Sequence, residues 1–184
     1  MTDRRVRLRY AERQAVELAA AFPPSPGGYL TPIPRVLDHL GIEYDQKVLT
    51  PRTTSLLITK GARAVIVTND LHGPERRRFA TAHAIGHYVL HVGGNASDVT
   101  YVDKIRNRVE RAASGIDPDE MEANVFAANL LMPLAMVNET FDETFDTVES
   151  EGELVEVMAH GFMVPTMAMS WRLQGLGLLD PMGG

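Results

Sequence analysis

The chain has no cysteine among its 184 residues. Disulfides and thiolate metal sites are therefore excluded, and any metal must be held by nitrogen or oxygen. Long hydrophobic runs are missing too. Nothing approaches the roughly 20 apolar residues that span a bilayer, and the basic start from Met1 to Tyr10 is not followed by the apolar stretch of a secretion signal. The expectation is a cytoplasmic protein with no membrane association. Positive charge is scarce, since 18 Lys and Arg face 24 Asp and Glu for a net charge of −6. Phosphate contacts need clustered Lys and Arg, so a broad nucleic-acid surface is not expected. The short run Arg76-Arg77-Arg78 reads as a solvated helix start with one arginine packed on acids. There is no internal repeat or low-complexity tract. What remains is a chain with 45% hydrophobic residues, enough for one domain over 1–184 with a core at about 29–135 and a helical C-terminal part at about 136–180.

Apolar spacing predicts an amphipathic helix from Tyr10 to Phe22, broken by Pro23-Pro24-Ser25-Pro26-Gly27-Gly28. A second helix, Ile33 to Leu40, closes at Gly41. The β-rich runs Ser55 to Thr59 and Ala64 to Thr68 flank Lys60-Gly61-Ala62-Arg63 and read as a hairpin. Val99 to Val102 reads as a strand, while Ile105 to Ala113 fits strand or helix. Two further helices are expected over Glu149 to Gly161 and Pro165 to Leu176. The fold class is α+β, mostly helical, with a small β-sheet beside a metal-binding helix.

That helix contains His83-Ala84-Ile85-Gly86-His87. Residues i and i+4 share one helical face about 5–6 Å apart, so two imidazoles can converge on one cation at about 2.0–2.1 Å each. In the zinc-protease pattern H-E-x-x-H a glutamate follows the first histidine and serves as general base. Here Ala84 stands in its place. His91 extends the series, but on a straight helix it lies about 12 Å along the axis from His83 and about 80° around it, too far to share the ion with both. Gly86 costs about 1 kcal/mol relative to alanine in a helix, a cost consistent with another segment approaching closely there.

A third ligand is expected from the next helix, which opens at Asp117-Pro118-Asp119-Glu120 and ends at Pro133. Glu120 and Asn124 are i, i+4 neighbours. Glu120 suits a zinc ligand, and Asn124 a partner that fixes a histidine through its second ring nitrogen. Glu122 points about 200° away from Glu120 and is the weaker choice. For the donor that stabilises an oxyanion, His72 in the turn before the metal helix, Tyr88 and Tyr101 are alternatives.

Three blocks carry a resemblance. Arg77-Arg78-Phe79-Ala80-Thr81-Ala82-His83-Ala84-Ile85-Gly86-His87-Tyr88-Val89-Leu90-His91 resembles the R-x-F-T-x-A-H-E-x-G-H-x-x-x-H signature of the ImmA/IrrE metallopeptidases. Glu120 to Pro133 is similar to their E-x-x-A-N-x-F-A-x-x-L-L-M-P block. Met158 to Pro165 with Ala168 to Leu173 is similar to a third block. The resemblance implies a gluzincin-like zinc endopeptidase that cleaves a helix-turn-helix repressor in stress, phage or mobile-element responses, with Zn2+ on His83, His87 and Glu120 and Asn124 behind them. The chain departs from the family at Ala84, the position of the general-base glutamate, so this copy is expected to be inactive or nearly so. Either a natural glutamate has been replaced or the protein is a silent pseudoprotease that binds a repressor or another partner. The intact remainder of the site favours replacement. A role in toxin-antitoxin or phage-immunity systems is a further alternative. DNA contact is expected only through the repressor.

Overall fold

The computed structural model describes residues 2–93, 98–104 and 117–180, with side chains from Arg5 onward. The segment Ile105 to Ala113 falls outside the described residues.

The chain opens with α1 (Thr2–Ala21) and α2 (Ile33–Leu40). Helix α1 begins eight residues before the start expected from apolar spacing. Its first two turns carry mostly charged side chains, so hydrophobic periodicity does not mark them. Gly41 ends α2 at φ 66°, a left-handed conformation that glycine adopts without a Cβ clash, and its N–H closes the helix on the Leu37 and Asp38 carbonyls.

Three strands follow: β1 (Ile42–Lys47), β2 (Thr53–Lys60) and β3 (Arg63–Asn69). The hairpin β2–β3 forms where turn residues and β-branched runs place it. Strand β1 is an addition, and it pairs parallel to β3 from Ile42 opposite Ala64 to Lys47 opposite Asn69. Only Ile42 of β1 is buried, so the strand has no alternating apolar pattern by which its sequence could be read. A fourth strand, β4 (Val99–Lys104), pairs antiparallel with β2 and completes the order β1-β3-β2-β4. Asn69 ends β3 as a buried junction. Its amide donates to the Thr50 and Thr53 carbonyls while its oxygen accepts from Leu49 and Leu71.

The metal-helix sequence forms α3 (Pro74–His87), followed directly by a π-helical turn, Tyr88–Val92. Helix α4 (Pro118–Leu131) starts with Asp117 accepting from the Asp119 N–H, an N-cap that satisfies one orphan donor. The remaining helices are α5 (Leu134–Phe145), α6 (Glu151–Gly161) and α7 (Thr166–Gly175). Sequence spacing assigns no individual element over α5, which buries only Val137 and Thr140.

The core lies between α3, α4 and the sheet. Ile85 of α3, Leu57 and Ile66 of the sheet and Phe126, Leu130 and Leu131 of α4 are fully buried there. Each such side chain contributes about 1.5–3 kcal/mol relative to exposure. Helix α7 is tied in by Arg172, whose Nε donates 3.1 Å to the Met132 carbonyl at the end of α4. Among the described residues no helix is long and apolar enough to cross a membrane.

Candidate metal centre

The site forms where α3 and α4 touch, and Gly86 sets their separation. A Cβ at Gly86 would lie 3.1 Å from the Ala123 Cα, 3.2 Å from its carbonyl oxygen and 3.2 Å from the Phe126 Cβ. Only a residue without a side chain allows this approach. His83 and His87 then face Glu120 in the first turn of α4.

The two Nε2 atoms are 2.9 Å apart, and Glu120 places one carboxylate oxygen 3.6 Å from His83 Nε2 and the other 3.5 Å from His87 Nε2. Two donors at 2.0–2.1 Å from one zinc, arranged tetrahedrally, are about 3.3 Å apart. The observed spacings bracket that value. The outer ring nitrogens support the same reading. Asn124 Nδ2 donates 2.8 Å to the Glu120 carbonyl, which turns Asn124 Oδ1 toward His83 Nδ1 at 3.3 Å. Since that oxygen can only accept, the His83 proton belongs on Nδ1 and Nε2 presents its lone pair. His87 Nδ1 lies 3.1 Å from His91 Nδ1. Two buried imidazoles with facing lone pairs beside a carboxylate repel one another unless a cation or proton sits between them. The donor set of two nitrogens and one carboxylate suits zinc and leaves a coordination position open.

Burial outweighs the neighbouring Glu120 charge and lowers the His87 pKa from its ordinary 6.5. The ring is therefore neutral at pH 7, the form that binds metal. Tyr101 of β4 stacks on His87 with ring centroids 4.5 Å apart and planes at 22°. Burial, followed by the Asp119 and Asp117 charges, raises the Tyr101 pKa, so its hydroxyl keeps its proton and can donate.

The other two donor candidates flank α3, one on each side. Tyr88 opens the π-helical turn and packs against the core. His72 precedes α3, and Pro74 at the helix start is itself about 14 Å along the axis from His83 at 1.5 Å per residue. His72 Nε2 is buried without a hydrogen-bonding partner among the described residues. Ala84 is 2% exposed and belongs to the hydrophobic core cluster. In the arginine run, Arg77 donates 2.6 Å to the His72 carbonyl, with Asp70 at 3.5 Å. Arg78 is half-buried and donates to the Thr31 carbonyl, and burial lowers its pKa to about 10.

Three further residues border the site: His91 and Glu122, which sequence spacing sets aside as ligands, and Arg7, which the sequence does not single out. His91 Nε2 lies 3.2 Å from Glu122 Oε2 and 3.9 Å from Asp119 Oδ1. Arg7 of α1 meets both acids, with Nε 2.6 Å from Glu122 and a terminal nitrogen 2.7 Å from Asp119. Glu122 does turn away from the three-residue centre, as its helical phase requires. It turns toward a second cluster.

A four-stranded mixed sheet beside a helix with two histidines one turn apart, and an acid from the following helix, define a metallopeptidase-like domain. The family model described as the IrrE N-terminal-like domain matches residues 38–174, and the chain belongs to that family of zinc-dependent peptidases. No curated protein gives a significant match.

Proposed function

We propose that the domain is a site-specific zinc endopeptidase scaffold for a helix-turn-helix repressor, silenced in this chain by Ala84. The observation that carries the reading is the convergence of His83, His87 and Glu120, with Asn124 turning the His83 lone pair inward. Zinc bound there supplies Lewis acidity to a scissile carbonyl and to the attacking water.

The chain's own groups divide the remaining work. His83, His87 and Glu120 hold the ion, and Asn124 keeps the His83 ring in its ligating orientation. Tyr101, protonated and stacked on His87, donates to the oxygen on which charge develops. Strand β4 carries Tyr101 and stands last in the sheet order. An extended repressor segment would add as a strand along that edge, beside Tyr101 and the His87 on which it stacks. At position 84 a glutamate takes the water's proton. Alanine cannot, and general-base catalysis is worth about 10²–10⁴-fold. The chain as it stands therefore gives at most trace turnover.

A second reading is favoured by Ala84 itself, which is buried among the hydrophobic core residues. It is a zinc-stabilised module that binds a repressor, or another protein, without cutting it. Incubating the unmodified chain and Ala84→Glu with the repressor and with casein separates the two. The peptidase reading expects both forms to hold equal zinc and the glutamate form to cut the repressor at one site, sparing casein. If Ala84→Glu binds zinc and repressor yet cuts no faster than the unmodified chain, the silent module is correct. Rapid casein digestion with intact repressor contradicts the proposed specificity.

A further inference from the structure

We infer that Arg7, Glu122 and His91 form a hydrogen-bonded relay that positions the metal ligand His87, so that the N-terminal helix is part of the metal centre. The inference rests on His83, His87 and Glu120 being the ligands.

The direction of each hydrogen bond follows from the first. A metal on His87 Nε2 requires a neutral ring whose one proton is on Nδ1. That N–H meets His91 Nδ1 at 3.1 Å, so His91 Nδ1 must accept. A charged imidazolium at 91 would set two N–H groups face to face. His91 therefore carries its proton on Nε2, which lies 3.2 Å from Glu122 Oε2. Glu122 is 5% exposed, and a buried carboxylate is costly without a partner. Arg7 Nε supplies that partner at 2.6 Å from the other carboxylate oxygen, and its terminal nitrogen holds Asp119 at 2.7 Å. No bond in the chain conflicts with the next.

Such outer hydrogen bonds fix the tautomer and angle of a ligating histidine and raise its basicity. Asn124 does this for His83. The relay does it for His87, with the difference that its anchor lies on α1, outside the residues 38–174 matched by the family. His91, Asp119 and Glu122 also lie close enough together to bind a metal themselves. Arg7 argues against that use, because its guanidinium already occupies both carboxylates and is the cation of the cluster.

The test measures zinc affinity by chelator competition on the full chain and on His91→Phe, Glu122→Gln, Arg7→Met and the double variant Arg7→Met/Glu122→Gln. Partners of a ligating histidine are worth about 10–100-fold in metal affinity. His91→Phe and Glu122→Gln are expected to lose affinity within that range, and Arg7→Met to lose less, in the same direction. In the Glu122→Gln background, Arg7→Met should add no further loss. A purely structural role for Arg7 in packing α1 on α4 would keep its effect there and overturn the relay. In zinc-loaded protein with nitrogen-15 in its histidines, a scalar coupling between His87 Nδ1 and His91 Nδ1 is expected, since an N–H···N hydrogen bond joins them. Absence of that coupling, or single variants that bind zinc like the unmodified chain, would refute the relay. A second zinc per chain that disappears in His91→Phe would refute it by making the cluster a metal site. His83→Ala serves as the separate control, because retention of zinc there overturns the ligand assignment itself.

Discussion

Replacing Gly86 by alanine isolates the contact on which the site depends. In most helices the change gains about 1 kcal/mol from helix propensity. Here the new Cβ would meet the Ala123 Cα at 3.1 Å and its carbonyl oxygen at 3.2 Å. Both are backbone atoms of α4 and cannot rotate away as a side chain would. Overpacking of this kind costs about 1–3 kcal/mol, so the net change is a loss of up to about 2 kcal/mol, opposite in sign to the usual effect. The relief available to the protein is to move α3 and α4 apart. That movement also draws His83 and His87 away from Glu120, so zinc affinity should fall along with stability. Gly175 in α7 is the internal comparison, since a Cβ there meets nothing within 4 Å. Urea unfolding of both variants in chelator, with zinc titration of each, reads the two effects separately. Gly175→Ala should be neutral or stabilising, by at most about 1 kcal/mol, with unchanged metal binding. If Gly86→Ala is equally benign in both assays, the close approach of the helices does not set the site.

His83→Ala and Glu120→Gln should each abolish stoichiometric zinc and the stabilisation that zinc confers on the folded chain, about 2.7 kcal/mol when free zinc is 100 times its dissociation constant. Metal analysis and thermal melts with and without zinc check this. In the Ala84→Glu background, Tyr101→Phe should lower kcat by up to about 10²–10³-fold, the cost of one oxyanion donor, with KM little changed; an unaltered kcat removes Tyr101 from that role. The His87 pKa is depressed below 6.5 by burial, so as pH falls through 6.5 the unfolded chain takes up a proton before the folded one does. Metal-free protein should therefore lose stability from pH 6.5 downward and stop losing it once the pH lies below the folded pKa. Urea unfolding from pH 8 to 5 should show that slope, and His87→Gln should flatten it.

The parts of this molecule legible from sequence are those governed by local rules. Helices α3 and α4 announce themselves through Pro at their starts, the i, i+4 pairs His83/His87 and Glu120/Asn124, and the cost of placing Gly86 in a helix. The hairpin β2–β3 follows from β-branched runs around Gly61. Strand β1 escaped because it is an edge strand with five exposed residues, and half-buried alternation is the signal a strand leaves in sequence. The first turns of α1 escaped for a related reason, since their side chains are mostly charged, and Arg7 among them pairs with Asp119 and Glu122. That contact is 112 residues from Asp119, and no local pattern encodes a pairing so distant. The part played by His91 was hidden by geometry. A straight α-helix carries it around the axis and away from the ion, and no local rule says that the chain widens into a π-helical turn at Tyr88–Val92. There His91 meets His87 through the outer nitrogens rather than through the metal. Glu122 was legible as facing away from Glu120, while what it faces depends on two other helices.

A crystal of the chain soaked with zinc, with anomalous scattering recorded at the zinc edge, locates the bound ion directly. One peak is expected, about 2.0–2.2 Å from His83 Nε2, His87 Nε2 and a Glu120 carboxylate oxygen. A peak held instead by His91, Asp119 and Glu122, or no peak between the two histidines at saturating zinc, would contradict this assignment.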